Sequence, residues 1–191
     1  MAASSSPFKV SFNDLHAFVL ASLQSTGMSR EDADKVAHTL VSTDAMGVLT
    51  HGTKLLAGYI KKLQKKGYDP NGVPTIEREG PAWAVIDGVS ALGMIGCHLA
   101  TQLAVFKAQQ VGIAYVGLKN TGHVGAIGYY ASVAARNGCI MMITGNDMPS
   151  VAAPGSRRAV LGSNPIAYAI PRRNRDPIML DMATAAIAGG K

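Results

Sequence analysis

The sequence lacks the features that mark several large classes of protein. It has no apolar run near the roughly 20 residues of a membrane span, and its first ten residues, MAASSSPFKV, hold no apolar signal core. Only two cysteines occur, Cys97 and Cys139, with no paired-cysteine motif. We therefore expect no membrane anchor, a disordered lead-in over residues 1–9, and reduced core cysteines in a cytoplasmic protein.

Several catalytic and nucleotide-binding motifs are also missing. The chain contains no phosphate loop GxxxxGK[ST], no HExxH and no GxSxG. Its nearest approach to the dinucleotide fingerprint GxGxxG is Gly122, Gly125 and Gly128, whose spacing differs from that motif. No zinc or other metal site is indicated, and the usual phosphate-binding loops are excluded.

The charge is basic but is not distributed as in a nucleic-acid-binding protein. The net charge is +6, concentrated in Lys61–Lys66, Arg157–Arg158 and Arg172–Arg175 without interleaved aromatic residues. No zinc-finger, basic-zipper or RNA-recognition pattern is present. We expect no nucleic-acid partner. The lysines fit a solvated surface, and the arginines fit either solvent or a phosphate-bearing cofactor.

The first third of the chain predicts helices. Apolar residues recur at helical spacing in Ser11–Gln24, Ser29–Met46 and Gly52–Lys65, and Ser11 and Ser29 stand where N-caps belong. Glycine follows each segment at Gly27, Gly47 and Gly67. These patterns predict a helical N-terminal subdomain over residues 10–70.

A turn-rich linker, Asp69–Pro74, separates that region from residues 75–191, where strand and helix patterns alternate. The sequence predicts strands at Trp83–Asp87, Ile113–Leu118, Cys139–Thr144, Ile166–Ile170 and Ile178–Asp181. It predicts helices at His98–Val111 and Ala126–Asn137, and the start of a third at Thr184–Lys191. Loops are predicted at Gly88–Gly96 and Gly145–Gly162, and a basic turn at Pro171–Pro177. The fold class is therefore α+β.

His123 lies in a polar, glycine-rich turn between a predicted strand and a predicted helix. In α/β proteins, ligands are commonly held at such positions, and the N–H groups of the following helix favour an anion there. Glycines on both sides let the backbone approach a ligand closely. A connector whose histidine packs locally is the alternative.

His51 occupies a similar turn, with Asp44 seven residues before it. A histidine can give or take a proton near neutral pH, as alcohol oxidation or carbonyl reduction requires. Asp44 is placed to orient His51 or to accept a hydrogen bond at a helix end, and Lys54 is placed to bind a carboxylate or to face solvent. His51 itself fits a helix-end residue equally well.

Other polar residues follow or end apolar runs, where ligand contacts are common. These are Asn146, Asn164 and Asp181. Each taken alone is more typical of a turn or cap residue. The remaining histidines lie within amphipathic helices, where we expect structural roles.

Four stretches in order carry a family resemblance. They are Ser42–Gly52 (STDAMGVLTHG), Asn120–Tyr130 (NTGHVGAIGYY), Leu161–Ala167 (LGSNPIA) and Pro177–Lys191 (PIMLDMATAAIAGGK). Together they resemble the malate/L-lactate dehydrogenase family of the second type, which includes ureidoglycolate, sulfolactate and diketogulonate oxidoreductases. The resemblance runs from about Val10 to the last residue.

The resemblance implies interconversion of a 2-hydroxy acid and a 2-oxo acid with NAD or NADP. It implies that His51 is the acid/base, that Asp44 orients it, and that His123 is catalytic or faces the cofactor. It also implies a homodimer, and a mixed, largely antiparallel nucleotide-binding sheet flanked by helices rather than a Rossmann fold. The cofactor-binding positions carried over are Asn146, Asp181, Met182, Ala183 and Thr184; the substrate-binding candidates are Thr50 and Lys54.

The sequence departs from the family pattern at one position that bears on the substrate. The family usually has arginine four residues after the first histidine, where a planar fork can bind a substrate carboxylate, and this chain has Leu55 there. Lys54, one residue earlier, is a substitute that points about 100° away on a helix. We also expect the 75–191 domain to be truncated at its C-terminal end. A catalytically inactive relative that binds a nucleotide or partner subunit is the alternative hypothesis.

Overall fold

The computed structural model describes residues 9–186 and mixes helices with small sheets. The helices are α1 (Phe12–Gln24), α2 (Arg30–Ala45), α3 (Leu56–Gln64), α4 (Gly93–Val111) and α5 (Ile127–Arg136), and a 3₁₀ turn spans Thr53–Leu55. The strands are β1 (Thr75–Gly80), β2 (Trp83–Asp87), β3 (Tyr115–Lys119), β4 (Met141–Thr144), β5 (Val151–Ala152), β6 (Ala159–Leu161), β7 (Ile166–Arg172) and β8 (Arg175–Met182). The predicted α+β class is confirmed.

The two predicted N-caps begin their helices as expected. The Ser11 hydroxyl accepts a hydrogen bond from the Asp14 N–H, and the Ser29 hydroxyl accepts one from the Asp32 N–H, each at 3.1 Å. Each cap satisfies an N–H that has no partner within its own helix.

The largest core cluster joins the helical region to the start of α4. Val19, Leu40 and Leu63 from the first three helices pack in one cluster with Leu92 and Met94. The N-terminal helices therefore share a core with residues beyond the linker. The division at residues 70–75 stays a prediction.

The first sheet has the order β1-β2-β3 and contains a parallel crossover. β2 pairs antiparallel with β1 and parallel with β3, and α4 connects the two parallel strands. β1 carried no strand signal because it is an edge strand of mostly polar residues, all of them exposed except the half-buried Gly80.

The second sheet is antiparallel, with the order β4-β7-β8, and α5 covers one of its faces. Ala167 and Ala169 of β7 are fully buried and pack with Ile127, Ala131 and Ala135 of α5. Four alanines therefore form the centre of this contact, with Ile127 and the partly buried Met141 and Ile143 packed around them.

The start of α4 corrects the predicted loop Gly88–Gly96. α4 begins at Gly93 rather than at His98. A side chain at Gly93 would collide with the carbonyl of Gly122, and one at Gly96 would collide with Leu118. These glycines therefore serve close packing and do not indicate a loop.

The predicted basic turn Pro171–Pro177 is wrong in extent. β7 runs to Arg172 and β8 begins at Arg175, which leaves a two-residue turn whose second residue, Asn174, has φ 55°. Pro171 sits at a register irregularity, where its missing N–H does not break a regular ladder. The predicted loop Gly145–Gly162 likewise contains a short hairpin of β5 and β6.

The remaining corrections concern Cys139 and the chain ends. Cys97 is buried as predicted, but Cys139 is only half-buried, just before an exposed edge strand. Of the predicted helix Thr184–Lys191, the described residues 184–186 form bends, while 187–191 and the lead-in residues 1–8 lie outside the described part. Among residues 9–186, no helix has the length and apolar character that crossing a bilayer requires.

Candidate active site

A turn between α2 and the 3₁₀ segment presents His51. Asp44, in the last turn of α2, accepts hydrogen bonds from the Thr53 N–H at 3.0 Å and from the Thr53 hydroxyl. A side chain at Gly52 would overlap the Asp44 carboxylate. Asp44 therefore closes the turn on the C-terminal side of His51, and its two hydrogen bonds go to Thr53.

The structure brings the two sequence-predicted histidines together. The rings of His51 and His123 stack with their centroids 5.8 Å apart and an interplanar angle of 24°. His51 Nδ1 lies 3.0 Å from the hydroxyl of Thr50. Residues 72 positions apart in the sequence thus form one imidazole pair.

Tyr59 of α3 contacts the second histidine of this pair and helps to set which ring nitrogen of His123 carries the proton. Its hydroxyl lies 2.6 Å from His123 Nδ1, and the Gly125 N–H donates to the same nitrogen at 3.3 Å. Burial raises the pKa of Tyr59, with the charge of Tyr68 acting in the same direction, so the phenol keeps its proton. Two donors at Nδ1 place the ring proton of neutral His123 on Nε2.

The surroundings of His123 favour its neutral form. Desolvation lowers the pKa of His123, although part of the residue is exposed, and the charges of His51 and Lys62 add to that effect. The charge of Asp147 opposes them. Neutral His123 is therefore favoured near pH 7, with its Nε2–H as a hydrogen-bond donor.

Tyr68 supports the glycine turn from the other side. Its hydroxyl accepts a hydrogen bond from the backbone N–H of His123 at 3.3 Å, and its ring fills the space that a side chain at Gly122 would occupy. At Gly122, the group that approaches the backbone closely is therefore the ring of Tyr68.

Several predicted cofactor-contacting segments meet at one end of the β4-β7-β8 sheet. Thr144, Ile166 and Met182 stand side by side in the three strands. The chain leaves β4 toward Asn146 and leaves β8 toward Ala183 and Thr184 at this same end. The strand register therefore brings three distant stretches of sequence together.

Hydrogen bonds brace these loops against one another. Ser163 donates through its hydroxyl to the Asp147 carboxylate at 2.8 Å, and the Asp147 N–H donates to the side-chain oxygen of Asn164 at 3.1 Å. The N–H and hydroxyl of Thr184 both donate to the carbonyl of Ser163. Asn146 is exposed beside this network.

Asp181 occupies the N-terminus of α5. Its Oδ2 accepts the Gly128 N–H at 2.8 Å, and a side chain at Gly128 would meet this carboxylate. The sequence predicts an anion at this helix end, and the anion found there is a carboxylate of the chain itself. The contact also ties β8 to the helix that follows His123.

Two other predicted positions lie differently. Lys54 is exposed in the 3₁₀ turn, while Leu55 is partly buried against the helical core. Tyr59 was not predicted as a site residue, because it belongs to the apolar side of α3. Its hydroxyl was the one signal that could have distinguished it from the leucines beside it.

The other histidines have structural partners, as expected. His38 Nδ1 lies 2.9 Å from the Tyr129 hydroxyl, and His98 Nε2 lies 2.9 Å from the Thr39 hydroxyl. Within residues 9–186, no group of three or more His, Cys, Asp or Glu side chains is arranged to hold a metal ion.

Comparison with known proteins gives consistent matches over nearly the whole chain. The profile of the family described as malate/L-lactate dehydrogenase matches residues 10–191. A malate dehydrogenase of Pyrococcus abyssi is 37% identical over 179 residues, which cover 94% of this chain and 49% of the relative. A ureidoglycolate dehydrogenase (NAD(+)) of Escherichia coli O157:H7 is 34% identical over 183 residues, covering 96% of this chain and 52% of the relative.

The fold of the chain also matches that of a solved structure. The malate dehydrogenase of Pyrococcus horikoshii OT3 superimposes with a TM-score of 0.92 at 37% identity, covering 96% of this chain and 52% of that structure. The chain therefore spans about half the length of the relatives that it matches.

Proposed function

The chain belongs to the malate/L-lactate dehydrogenase family, and from this premise we propose that its protein interconverts a 2-hydroxy acid and a 2-oxo acid with NAD or NADP. The observation that carries the proposal is the stacked pair of His51 and His123, with Tyr59 hydrogen-bonded to the second histidine. Such a pair provides both a proton carrier and a neutral hydrogen-bond donor for the oxygen of the reacting carbon.

The residues at the end of the second sheet fit a nicotinamide nucleotide in their chemistry. Asn146 offers an amide, Asp181 a carboxylate already held at a helix end, and Thr184 a hydroxyl. Ribose hydroxyls and a carboxamide need this mixture of donors and acceptors. We propose that these residues, with Met182 and Ala183, hold the cofactor on this sheet without a Rossmann unit. A bound nicotinamide supplies or accepts the hydride.

The protein's own residues then handle the proton and the oxygen. We propose His51 as the acid/base; its Nδ1 is engaged by Thr50, which leaves proton transfer to Nε2. His123, neutral with Nε2–H, donates a hydrogen bond to the substrate oxygen. Asp44 acts through the turn that it closes, as a positioning residue.

Nicotinamide fluorescence with the 191-residue chain tests cofactor binding. We expect saturable binding of NADH or NADPH, followed by NAD(P)H consumption with a 2-oxo acid such as oxaloacetate or pyruvate. His51→Ala should lower turnover at least 100-fold, while His16→Ala, whose ring lies beside Phe12 and His38, serves as the control. An unchanged rate in His51→Ala would remove the proposed proton transfer.

A second candidate is a relative that binds a nucleotide or a partner subunit without turnover. The position where the family resemblance implies arginine holds Leu55, whose side chain packs against the helical core. NAD(P)H consumption that depends on a 2-oxo acid would exclude this candidate. Binding of NADH without consumption under any 2-oxo acid would favour it.

We also propose a homodimer, as the resemblance implies. Light scattering of the 191-residue chain across a range of concentrations tests this, with a mass near twice 19.9 kDa expected. A monomer at all concentrations would contradict it.

A further inference from the structure

The leucine at position 55 provides no binding partner for the carboxylate of an acid substrate. A 2-oxo acid carries a carboxylate at pH 7, and binding that anion out of water requires a positive or strongly donating partner. Leu55 contributes an apolar side chain that is partly buried against the helical core cluster. If the proposed function holds, another group must bind the carboxylate.

Lys62 lies on the same side of α3 as Tyr59. The two are three residues apart on the helix, and residues at that spacing are neighbours on its surface. The ammonium of Lys62 donates to the Tyr68 hydroxyl at 3.2 Å and lies 5.1 Å from the centre of the Tyr68 ring. The same hydroxyl accepts the backbone N–H of His123. One hydroxyl therefore separates the ammonium from the histidine turn.

The charge of Lys62 is exposed and has no carboxylate partner in the described part of the chain. Ion pairs between residues 9 and 186 bind the ammonium groups of Lys35, Lys107 and Lys119, but not that of Lys62. Its charge nevertheless reaches the site, since it helps to lower the pKa of His123. An unneutralised cation beside a substrate site favours an anionic ligand.

Tyr68 adds a donor at the same place. Its oxygen accepts from both Lys62 and His123, which leaves its own O–H proton free to donate. An ammonium and a phenol O–H side by side match the two oxygens of a carboxylate.

We propose that Lys62, together with the Tyr68 hydroxyl, binds the carboxylate of the acid substrate in place of the arginine that the family resemblance implies at the position of Leu55. This inference rests on the proposed function and names the group that recognises the substrate. An ammonium is a point charge without the planar fork of arginine, so the carboxylate is held by charge more than by a fixed bidentate geometry.

The test uses oxamate, an unreactive analogue of a 2-oxo acid, titrated into the 191-residue chain with NADH and followed by nicotinamide fluorescence. Lys62→Met, which keeps most of the length of the side chain and removes its charge, should weaken oxamate binding about 10- to 100-fold. Lys62→Arg should restore most of it. Lys61→Met is the matched control, because Lys61 points about 100° around the helix, and it should bind oxamate as the unaltered chain does.

A second readout separates a direct role from a structural one. In Lys62→Met without ligand, NMR titration of the His123 ring should show a higher pKa than in the unaltered chain, because a neighbouring positive charge has been removed. Lys61→Met should leave that pKa in place.

Each other outcome overturns the inference in a recognisable way. Oxamate affinity unchanged in Lys62→Met overturns it while leaving the proposed function standing. Weaker NADH binding with unchanged oxamate binding would assign the cation to the cofactor's phosphates instead. A loss of oxamate binding in Lys54→Met alone would assign the carboxylate to Lys54. An unaltered chain that binds NADH but no oxamate overturns this inference while leaving the cofactor part of the proposed function standing.

Discussion

The hydroxyl of Tyr59 lies 2.6 Å from Nδ1 of His123. This contact joins α3, part of the N-terminal helical core, to the glycine turn before α5. Because the phenol stays protonated and Gly125 donates to the same nitrogen, the neutral ring carries its proton on Nε2. Together these two hydrogen bonds leave Nε2 as the nitrogen of His123 that can donate to a ligand.

Replacing Tyr59 with phenylalanine removes that donor while preserving the packing of the ring. Without it, the neutral tautomer of His123 is held less firmly, and we expect the pKa of His123 to rise toward its ordinary value. Turnover of the 2-oxo acid should fall about 10- to 100-fold. NMR titration and steady-state rates provide the two measurements. Tyr115→Phe, at an exposed residue of β3, should change neither.

Replacing Gly52 with alanine should open the turn that presents His51. The added methyl group overlaps the Asp44 carboxylate, so Asp44 must move away from Thr53. We expect a loss of about 1–3 kcal/mol in the free energy of unfolding in urea. Gly58→Ala is the matched control, since nothing lies within 4 Å of its added methyl, and it should stabilise α3 by about 0.5–1 kcal/mol. Equal effects of both substitutions would contradict the crowding at Gly52.

Replacing Asp181 with asparagine should weaken the connection between β8 and α5. The amide oxygen can still accept the Gly128 N–H, but the negative charge at the helix N-terminus is lost. The expected cost is about 1 kcal/mol in unfolding free energy, together with weaker NADH binding. Asp176→Asn, at an exposed ion pair with Arg136, should cost little. NADH affinity equal to that of the unaltered chain would remove Asp181 from the proposed cofactor site.

The stability of the chain should fall as the pH decreases from about 6.5 to about 4. Burial lowers the pKa of His98 to about 4, while in the unfolded chain it stays near 6.5. Between these pH values the unfolded state therefore binds a proton that the folded state does not bind. The full loss in the free energy of unfolding is about 3 kcal/mol. His98→Gln, which keeps a group near Thr39 and cannot titrate, should flatten this part of the pH profile. Urea unfolding at several pH values measures it, and parallel profiles for both chains would contradict the assignment.

The sequence predicted the helices well because their signals are local. Ser11 and Ser29 cap α1 and α2 where the pattern placed them. Glycine was the least reliable guide, since Gly93 and Gly96 were interpreted as loop residues and lie inside α4. A side chain at either position would collide with Gly122 or Leu118, which are more than 20 residues away in the sequence. No local sequence pattern contains that information.

The two histidines of the candidate site were predictable from the sequence, but the residues that contact them were not. His51 and His123 were both singled out by the turns around them, and the structure stacks their rings. Tyr59 and Lys62 carried no such signal, because the first looks like a core residue and the second like a solvated lysine. Their relevance depends on how α3 packs beside the glycine turn, which is a tertiary property.

The alanine contact between α5 and the second sheet has a consequence for how the chain tolerates change. Ala167 and Ala169 have no exposed surface, and the helix that rests on them begins just after the His123 turn. A bulkier residue at either position would push the helix outward and carry that turn with it. Loss of the proposed activity should therefore also follow from substitutions at residues that contact no ligand. Along β7, sensitivity to added bulk should alternate with every second residue, high at the alanines and low at Tyr168 and Ile170.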